Sequence, residues 1–221
     1  MDELLEKLPF WSSLSDAEKK TVKTSAVVNH YKKGSILHGN CDNGASCLGM
    51  VYVISGELRA YILSEEGREI TLFRLPKGDS CVLAASCIIS QIDFDTLLTA
   101  TGDADVLIVP AAVFSRLMNE NIHVKCFLYE LATERFSAVM WVMQQILFYR
   151  FDQRLATFLL NEYRRTGVPK IRMTQEQIAQ NVNSAREVVA RMLKQFASDG
   201  LIENQRGIIV LKDIGGLEKL Q

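Results

Sequence analysis

Between residues 173 and 193, two short apolar helical patterns are separated by a polar turn. Ile178, Ala179 and Val182 fall on one face of the first predicted helix, and Asn183 and Ser184 follow as the turn. The second pattern repeats apolar residues at helical spacing, at positions 188, 189, 192 and 193. Two short helices that bury facing stripes pack at an angle, so this stretch predicts a helix-turn-helix.

Three charged residues lie outside the second apolar stripe, in the first turns of its helix: Arg186, Glu187 and Arg191. A recognition helix presents side chains to the major groove of DNA from these positions. Arg can donate two hydrogen bonds to guanine and Glu can accept one from cytosine, so we expect a G·C-rich target. The alternative is a solvated helix face with intrahelical ion pairs, each worth about 0.2–0.5 kcal/mol.

Two β-prone runs, 201–203 and 208–211, follow this helix. The turn between them covers residues 204–207 and carries Arg206 at its tip, next to Gly207. A wing of this kind would bring Arg206 close to a DNA phosphate. The C-terminal region is therefore predicted to be a winged helix-turn-helix.

Charge is distributed unevenly along the chain. From Arg150 onward there are twelve Lys and Arg against eight Asp and Glu, whereas the first 149 residues hold thirteen against eighteen. The basic C-terminal part fits nucleic-acid binding. Its net charge of +4 is too small to hold DNA alone, so we expect two copies of the domain to bind one duplex.

The chain contains no Pro or Gly from about 112 to 148, which predicts one long helix. Its apolar residues recur at three- and four-residue steps: Val124, Leu128, Leu131, Val139, Met143 and Ile146. We expect one face to pair with the same helix of a second copy, the alternative being a core helix of a monomer. Charged residues from 125 to 135 interrupt the apolar run, so no membrane partner is expected.

Residues 27 to 110 show the two-residue alternation of β-strands rather than a helical period. About eight short strands separated by turn residues are predicted there, which is typical of an antiparallel roll or jelly roll. Short helices are expected before it, one of them capped near Ser15.

Together, these elements resemble the Crp/Fnr family of bacterial transcription regulators over essentially the entire chain. The motifs that carry the resemblance are 52–59 (YVISGELR), 66–69 (EGRE), 75–79 (LPKGD), 174–179 (TQEQIA) and 184–191 (SAREVVAR). The resemblance implies an α+β protein in three parts. These are a sensor domain over 1–111, built as a cyclic-nucleotide-binding-like double-stranded β-helix, a dimerisation helix over 112–148, and a winged helix-turn-helix DNA-binding domain over 149–221.

The resemblance also implies roles and partners. By motif position, Arg186, Glu187 and Arg191 would read bases. The predicted DNA-binding set further includes Thr174, Gln175, Ser184 and Arg206. The family is cytoplasmic and binds two-fold symmetric, palindromic operators as homodimers. A contact with RNA polymerase is expected of an activator, but it has no residue signature in this sequence.

The chain departs from the family's known sensors. Members that bind cyclic nucleotides follow their Gly-Glu motif with an Arg that clamps the phosphate, whereas residues 80–101 here contain no Arg or Lys. Asp93 and Asp95 stand there instead and would repel a phosphodiester. Oxygen-sensing members hold an iron–sulfur cluster on N-terminal cysteines, and the first 40 residues contain none. We therefore expect a small-molecule or redox signal other than cyclic AMP, and the cofactor stays undetermined.

Four cysteines fall in the predicted sensor domain: Cys41, Cys47, Cys81 and Cys87. Within each pair five residues intervene, a wider spacing than in zinc knuckles, so no metal site is assigned. Core packing, reversible thiol chemistry and metal or haem ligation all stay open. Cys41 and Cys47 are the more reactive pair if thiols do the sensing, because they lie in a polar stretch.

Motifs of catalysis are missing from the sequence, which has no Gly-rich phosphate loop, nucleophile elbow or His-Glu metal helix. We therefore expect no enzyme and assign no catalytic residue. The alternative function is a ligand- or metal-binding sensor protein that does not read DNA directly. That alternative leaves the outward charges of the second helix, Arg186 above all, without a role.

Overall fold

The computed structural model describes residues 1–38, 48–82 and 96–221. The chain divides into two compact units. The first contains Met1–Arg68 and Leu72–Met140, and the second contains Glu69–Thr71 and Trp141–Gln221. The predicted α+β class is confirmed, with antiparallel strands in the N-terminal half, a long helix and a C-terminal helix-turn-helix.

Two four-stranded sheets form the described part of the β-roll, in the orders β1-β8-β3-β6 and β2-β7-β4-β5. The pairings of β1 and β3 with β8, and of β4 with β7, are antiparallel. The strands are β1 (Val27–Tyr31), β2 (Ile36–His38), β3 (Met50–Ser55), β4 (Glu57–Leu63), β5 (Glu69–Pro76), β6 (Ser80–Cys81), β7 (Leu97–Ala100) and β8 (Ala104–Val109). Gly56 joins β3 to β4 at a φ of +78°, and a side chain there would collide with the carbonyl of Asp103.

Short helices cover one side of the roll: α1 (Asp2–Leu5), a 3-10 turn (Trp11–Ser13) and α2 (Asp16–Ser25). The predicted cap of α2 is present as a reciprocal pair between Ser15 and Glu18. The hydrogen bond from the Ser15 hydroxyl holds the pKa of Glu18 below its usual value. Apolar residues of these helices share one buried core with residues of β3, β8 and the helices that follow: Leu5, Phe10, Trp11, Met50, Leu107, Phe114 and Leu117. Each fully buried side chain of this kind stabilises the fold by about 1.5–3 kcal/mol.

The single helix predicted over 112–148 is two helices, α3 (Ala111–Glu120) and α4 (Ile122–Phe148). Asn121 lies between them in an extended conformation. Its side-chain oxygen accepts hydrogen bonds from the backbone N–H groups of His123 (3.0 Å) and Val124 (3.4 Å). The prediction of one helix was wrong because an Asn that caps the next helix interrupts the first without any Pro or Gly.

Helix α4 carries apolar residues on two faces, and the residues predicted from spacing are divided between them. Val124, Leu128 and Leu131 are buried in the core of the first unit. A second stripe is exposed: Ile122, Tyr129, Phe136, Met140, Met143 and Leu147. Both stripes repeat at three-, four- and seven-residue steps, so spacing alone could not separate them. No helix among the described residues combines the length and the apolar character that crossing a membrane requires.

The second unit contains the helix-turn-helix and a small sheet. Its elements after α4 are α5 (Phe151–Thr166), β9 (Lys170–Ile171), α6 (Gln175–Asn181), α7 (Arg186–Ser198), β10 (Ile202–Gln205), β11 (Ile208–Leu211) and α8 (Ile214–Glu218). The strand order is β10-β11-β9, and the two-residue strand β9 was missed from sequence. Buried residues of all three longer helices and the sheet form one core: Leu155, Leu159, Ile178, Val189, Leu193, Phe196, Ile202 and Ile209.

The break at Asn121 gives a stability prediction. Its side-chain amide also donates to the carbonyl of Ser13 (3.1 Å) and to a carboxylate oxygen of Glu18 (3.2 Å). We expect Asn121→Ala to lower the free energy of unfolding by about 1–2 kcal/mol, because a helix cap and these bonds are lost together. Urea denaturation followed by the fluorescence of buried Trp11 measures the change.

The control is Asn161→Ala, at an exposed position inside α5 where the side chain has no hydrogen bond to a described residue. We expect that substitution to change stability by less than about 0.5 kcal/mol. Equal effects of the two substitutions would contradict the capping role of Asn121.

Candidate nucleic-acid interface

Thr174 fixes the start of the first helix of the motif, α6. Its hydroxyl oxygen accepts from the backbone N–H of Gln177 (3.2 Å), and the Gln177 side chain accepts from the backbone N–H of Thr174 (2.9 Å). This reciprocal capping begins the helix at Gln175. Thr174 is exposed and Gln175 is half-buried at the first helical position.

The turn between α6 and α7 depends on Asn183. This residue has a φ of +52°, and it is the only non-glycine residue of the described chain in the left-handed region. Asn tolerates this conformation better than most residues. The backbone N–H of Ser184 donates to the carbonyl of Ala179 (3.0 Å), which closes the turn. As a result, α7 begins two residues later, at Arg186.

One face of α7 is buried and the other carries the predicted reading residues. Val189, Leu193 and Phe196 pack into the core of the second unit. Arg186, Glu187 and Arg191 are exposed. Within the described chain, none of their side chains forms an ion pair or hydrogen bond, so the predicted alternative of intrahelical ion pairs is not observed there.

The wing is a tight hairpin. Asn204 and Gln205 pair with Ile209 and Ile208, so the turn consists of Arg206 and Gly207 rather than the four residues predicted. Gly207 has a φ of +73°, which a side chain would strain. At the other end of the hairpin, Lys212 contacts Glu203 (2.8 Å), and this hydrogen bond holds the pKa of Glu203 below its usual value.

A groove of about 580 Å³ lies between the wing and the beginnings of α6 and α7. Four residues of the predicted DNA-binding set line it: Thr174, Gln175, Arg186 and Arg206. Three others do not line it: Ser184, Glu187 and Arg191. Side chains outside the predicted set also line the groove, among them Glu176, Asn204 and Gln205. Their positions follow from the hairpin register and the helix start, which periodicity locates only to within a few residues.

Ion pairs occupy basic residues elsewhere in the second unit. Arg164 contacts Glu218 (3.2 Å) and Arg165 contacts Glu162 (2.7 Å). Arg206 at the wing has no such pair with a described residue. Arg186, which has no pair with a described residue either, lines the groove with Arg206, so two cations there are available to an anion such as a nucleic-acid phosphate.

A buried polar cluster in the first unit was not predicted. Arg135 on α4 has a side chain only 9% exposed, and its guanidinium donates to Asp79 (3.2 Å) and to the carbonyl of Ser80 (3.2 Å). The same group lies over the ring of Phe73, 4.9 Å from its centre. In the sequence, Arg135 was interpreted only as a charge that interrupts an apolar run. The Gly78-Asp79 motif was the one signal that pointed toward this place.

One of the four predicted sensor cysteines, Cys81, lies among the described residues. Cys81 is buried in β6, whereas Cys41, Cys47 and Cys87, together with Asp93 and Asp95, lie outside the described residues. Cys126 is exposed on α4. Among described residues, no three His, Cys, Asp or Glu side chains are grouped as a metal site would require.

Comparisons with known proteins agree on one family. The family model described as a Crp-like helix-turn-helix domain matches residues 153–220. A transcriptional regulator of the Crp/Fnr family from Eubacterium rectale has a solved structure that is 41% identical, covers 98% of this chain and 99% of its own, and superposes with a TM-score of 0.90. None of the curated proteins compared with the chain matches it.

More distant structures share the fold. FixK2 from Bradyrhizobium japonicum is 21% identical, with 89% of this chain and 97% of that one covered and a TM-score of 0.70. The c-di-GMP-responsive regulator CLP from Xanthomonas campestris is 16% identical, with 90% and 100% covered and a TM-score of 0.73. The fold, the winged helix-turn-helix and the extent of the match to the Eubacterium rectale regulator show that the chain belongs to the Crp/Fnr family of DNA-binding transcription regulators.

Proposed function

We propose that this regulator is a cytoplasmic homodimer that reads a palindromic operator with its two recognition helices, in response to a small-molecule or redox signal other than cyclic AMP. The observation that carries the proposal is that Arg186, Glu187 and Arg191 are exposed without a partner among the described residues, and that Arg186 lines a groove together with Arg206. A surface with this chemistry suits the edges and phosphates of a G·C-rich duplex.

The two sets of residues would have different tasks. Arg186, Glu187 and Arg191 would contact base edges from the first turns of α7. Thr174, Gln175, Ser184 and Arg206 would contact the sugar–phosphate backbone and set the register of the domain. The hydroxyl of Thr174 can still donate while its oxygen serves as the helix cap.

Dimerisation is supported by the exposed stripe of α4. Phe136 and Leu147 are each 65% exposed, and the stripe repeats every seven residues from Ile122 through Tyr129 and Phe136 to Met143. Such a repeat forms the seam of a two-stranded coiled coil. An exposed apolar stripe of this length indicates an interface rather than a solvated surface.

The sensor would act through α4. Arg135 joins this helix to Asp79 and Ser80 of the roll, and the next residue, Phe136, belongs to the exposed stripe. A signal that moves the start of β6 would therefore shift the neighbouring seam. Changes in the seam would then set the distance between the recognition helices, which a two-fold operator requires to be about 34–36 Å. An activating contact with RNA polymerase is part of the same proposal.

Arg186 is the residue on which base reading can be tested most directly. We expect Arg186→Ala to weaken operator binding by about 1–3 kcal/mol and to relax selectivity at one base pair, because a two-pronged contact to guanine is lost. Competition binding with single-base operator variants measures both effects. Arg164→Ala is the control, since it removes the same charge from the same domain outside the groove. No loss of binding from Arg186→Ala would favour a ligand- or metal-binding sensor without direct DNA reading.

A natural cysteine tests the dimer seam. Cys126 is exposed on α4, four residues after Ile122 and three before Tyr129, at a seam position of the same repeat. In a parallel two-fold pair the two Cys126 side chains would meet within disulfide range. Mild oxidation should give a covalent dimer on a non-reducing gel, which Cys126→Ser abolishes and Cys81→Ser does not. A wild-type protein that stays monomeric under these conditions would contradict the seam.

Redox sensing has its own test. Fluorescence anisotropy on the operator compares protein reduced without oxygen and protein treated with mild peroxide. If thiols transmit the signal, affinity changes reversibly and the change disappears in Cys41→Ser. Identical binding in the two states would exclude the redox signal and leave a small molecule in the roll as the effector.

A further inference from the structure

One carboxylate lies among the groove residues. Glu176 lines the groove together with Arg186 and Arg206, and it is exposed. Its side chain forms no ion pair or hydrogen bond with any residue that the structure describes, although two arginines line the same groove. In the proposed function, the carboxylate of Glu176 therefore lies on the surface that would face DNA, and no described cation pairs with it.

The cap of α6 does not need this carboxylate. Thr174 and Gln177 already provide the reciprocal cap, and Glu176 sits between them in the first turn. Its remaining structural effect is a favourable interaction with the positive end of the helix dipole. That interaction stabilises the folded domain. The same negative charge would repel a bound phosphate and so would weaken DNA binding.

We propose that Glu176 limits the affinity of the winged helix-turn-helix domain for DNA by repelling the backbone phosphates that enter the groove. The inference rests on the proposed function, because it requires the groove to face DNA. Like charges a few ångströms apart at a partly exposed site repel appreciably, and phosphates carry no sequence information. The repulsion therefore acts on every sequence alike.

The consequence is weak binding to random DNA. Non-specific association with DNA is almost entirely electrostatic, so a repelling charge in each winged helix-turn-helix domain directly lowers the non-specific affinity. Operator binding is lowered as well, but there the base contacts of α7 are added. A dimer has two copies of Glu176, so stable occupancy would require both recognition helices to make their base contacts together.

The test is Glu176→Gln, which removes the charge and keeps the shape. Asp199→Asn is the matched control, because Asp199 is exposed at the far end of α7, away from the groove. Its bond from Gln195 (2.9 Å) can be made by an asparagine oxygen as well. Anisotropy titrations on operator and on random-sequence duplex, over a series of salt concentrations, give the dissociation constants.

We expect Glu176→Gln to bind both duplexes roughly fivefold more tightly at low salt, with the gain shrinking as salt rises. Asp199→Asn should bind like the wild type. The melting temperature of Glu176→Gln should stay the same or fall slightly, since the dipole interaction is lost. Tighter binding by a protein that is no more stable separates phosphate repulsion from a structural role.

Two outcomes would overturn the inference. Unchanged binding would mean that phosphates do not approach Glu176, and weaker binding would mean that its negative charge stabilises the complex with DNA. The wild-type titration is read first. If the wild type binds neither duplex, the proposed function itself is wrong. If the wild type binds and Glu176→Gln binds with the same affinity, only the inference about Glu176 is wrong.

Discussion

The two apolar faces of α4 are the constraint on which the rest of the molecule depends. One face, with Val124, Leu128 and Leu131, is buried in the core of the first unit and holds the helix to the β-roll. The opposite stripe, centred on Phe136, is exposed. Burying apolar surface yields about 25 cal/mol for each Å², so an uncovered stripe of large side chains strongly favours association. The proposed dimer would also bring two winged helix-turn-helix domains to one duplex, which matters because a single domain of net charge +4 attracts DNA only weakly.

The exposure of the predicted base-reading residues depends on local backbone conformation in the second unit. Asn183 adopts the left-handed conformation that turns the chain, and Thr174 and Gln177 fix the beginning of α6. These conformations leave the start of α7 exposed beside the wing, while Val189 and Leu193 pack its other face into the core. Arg164 and Arg165 of this unit form ion pairs, whereas Arg186 and Arg206, which line the groove, have none with a described residue.

Periodicity and turn residues were sufficient to predict the β-roll, the helix-turn-helix and the wing, because strands repeat apolar residues every two positions and helices every three or four. They could not predict the break at Asn121, since an Asn inside a helix and an Asn that caps one look alike in sequence. Arg135 was taken for a charge that interrupts an apolar run, yet its long side chain is buried against Asp79 and Phe73.

Some residues of the candidate site could be predicted from the sequence and others could not. Positions on one helix follow from spacing, so Arg186 and Arg191 were found exposed as expected. Glu176 and Gln205 reach the groove only through the junction of helix and hairpin, which spacing does not encode. That the exposed residues contact DNA stays a prediction, and Cys41, Cys47 and Cys87 lie outside the described residues.

The spacing of the two half-sites tests the central claim most directly. Anisotropy would compare an inverted repeat whose half-sites are one DNA turn apart with the same repeat carrying five extra base pairs between them. A homodimer with fixed recognition helices should lose most of its affinity on the second duplex, because the inserted half turn rotates one half-site to the opposite side. Equal binding to the two duplexes would contradict the account.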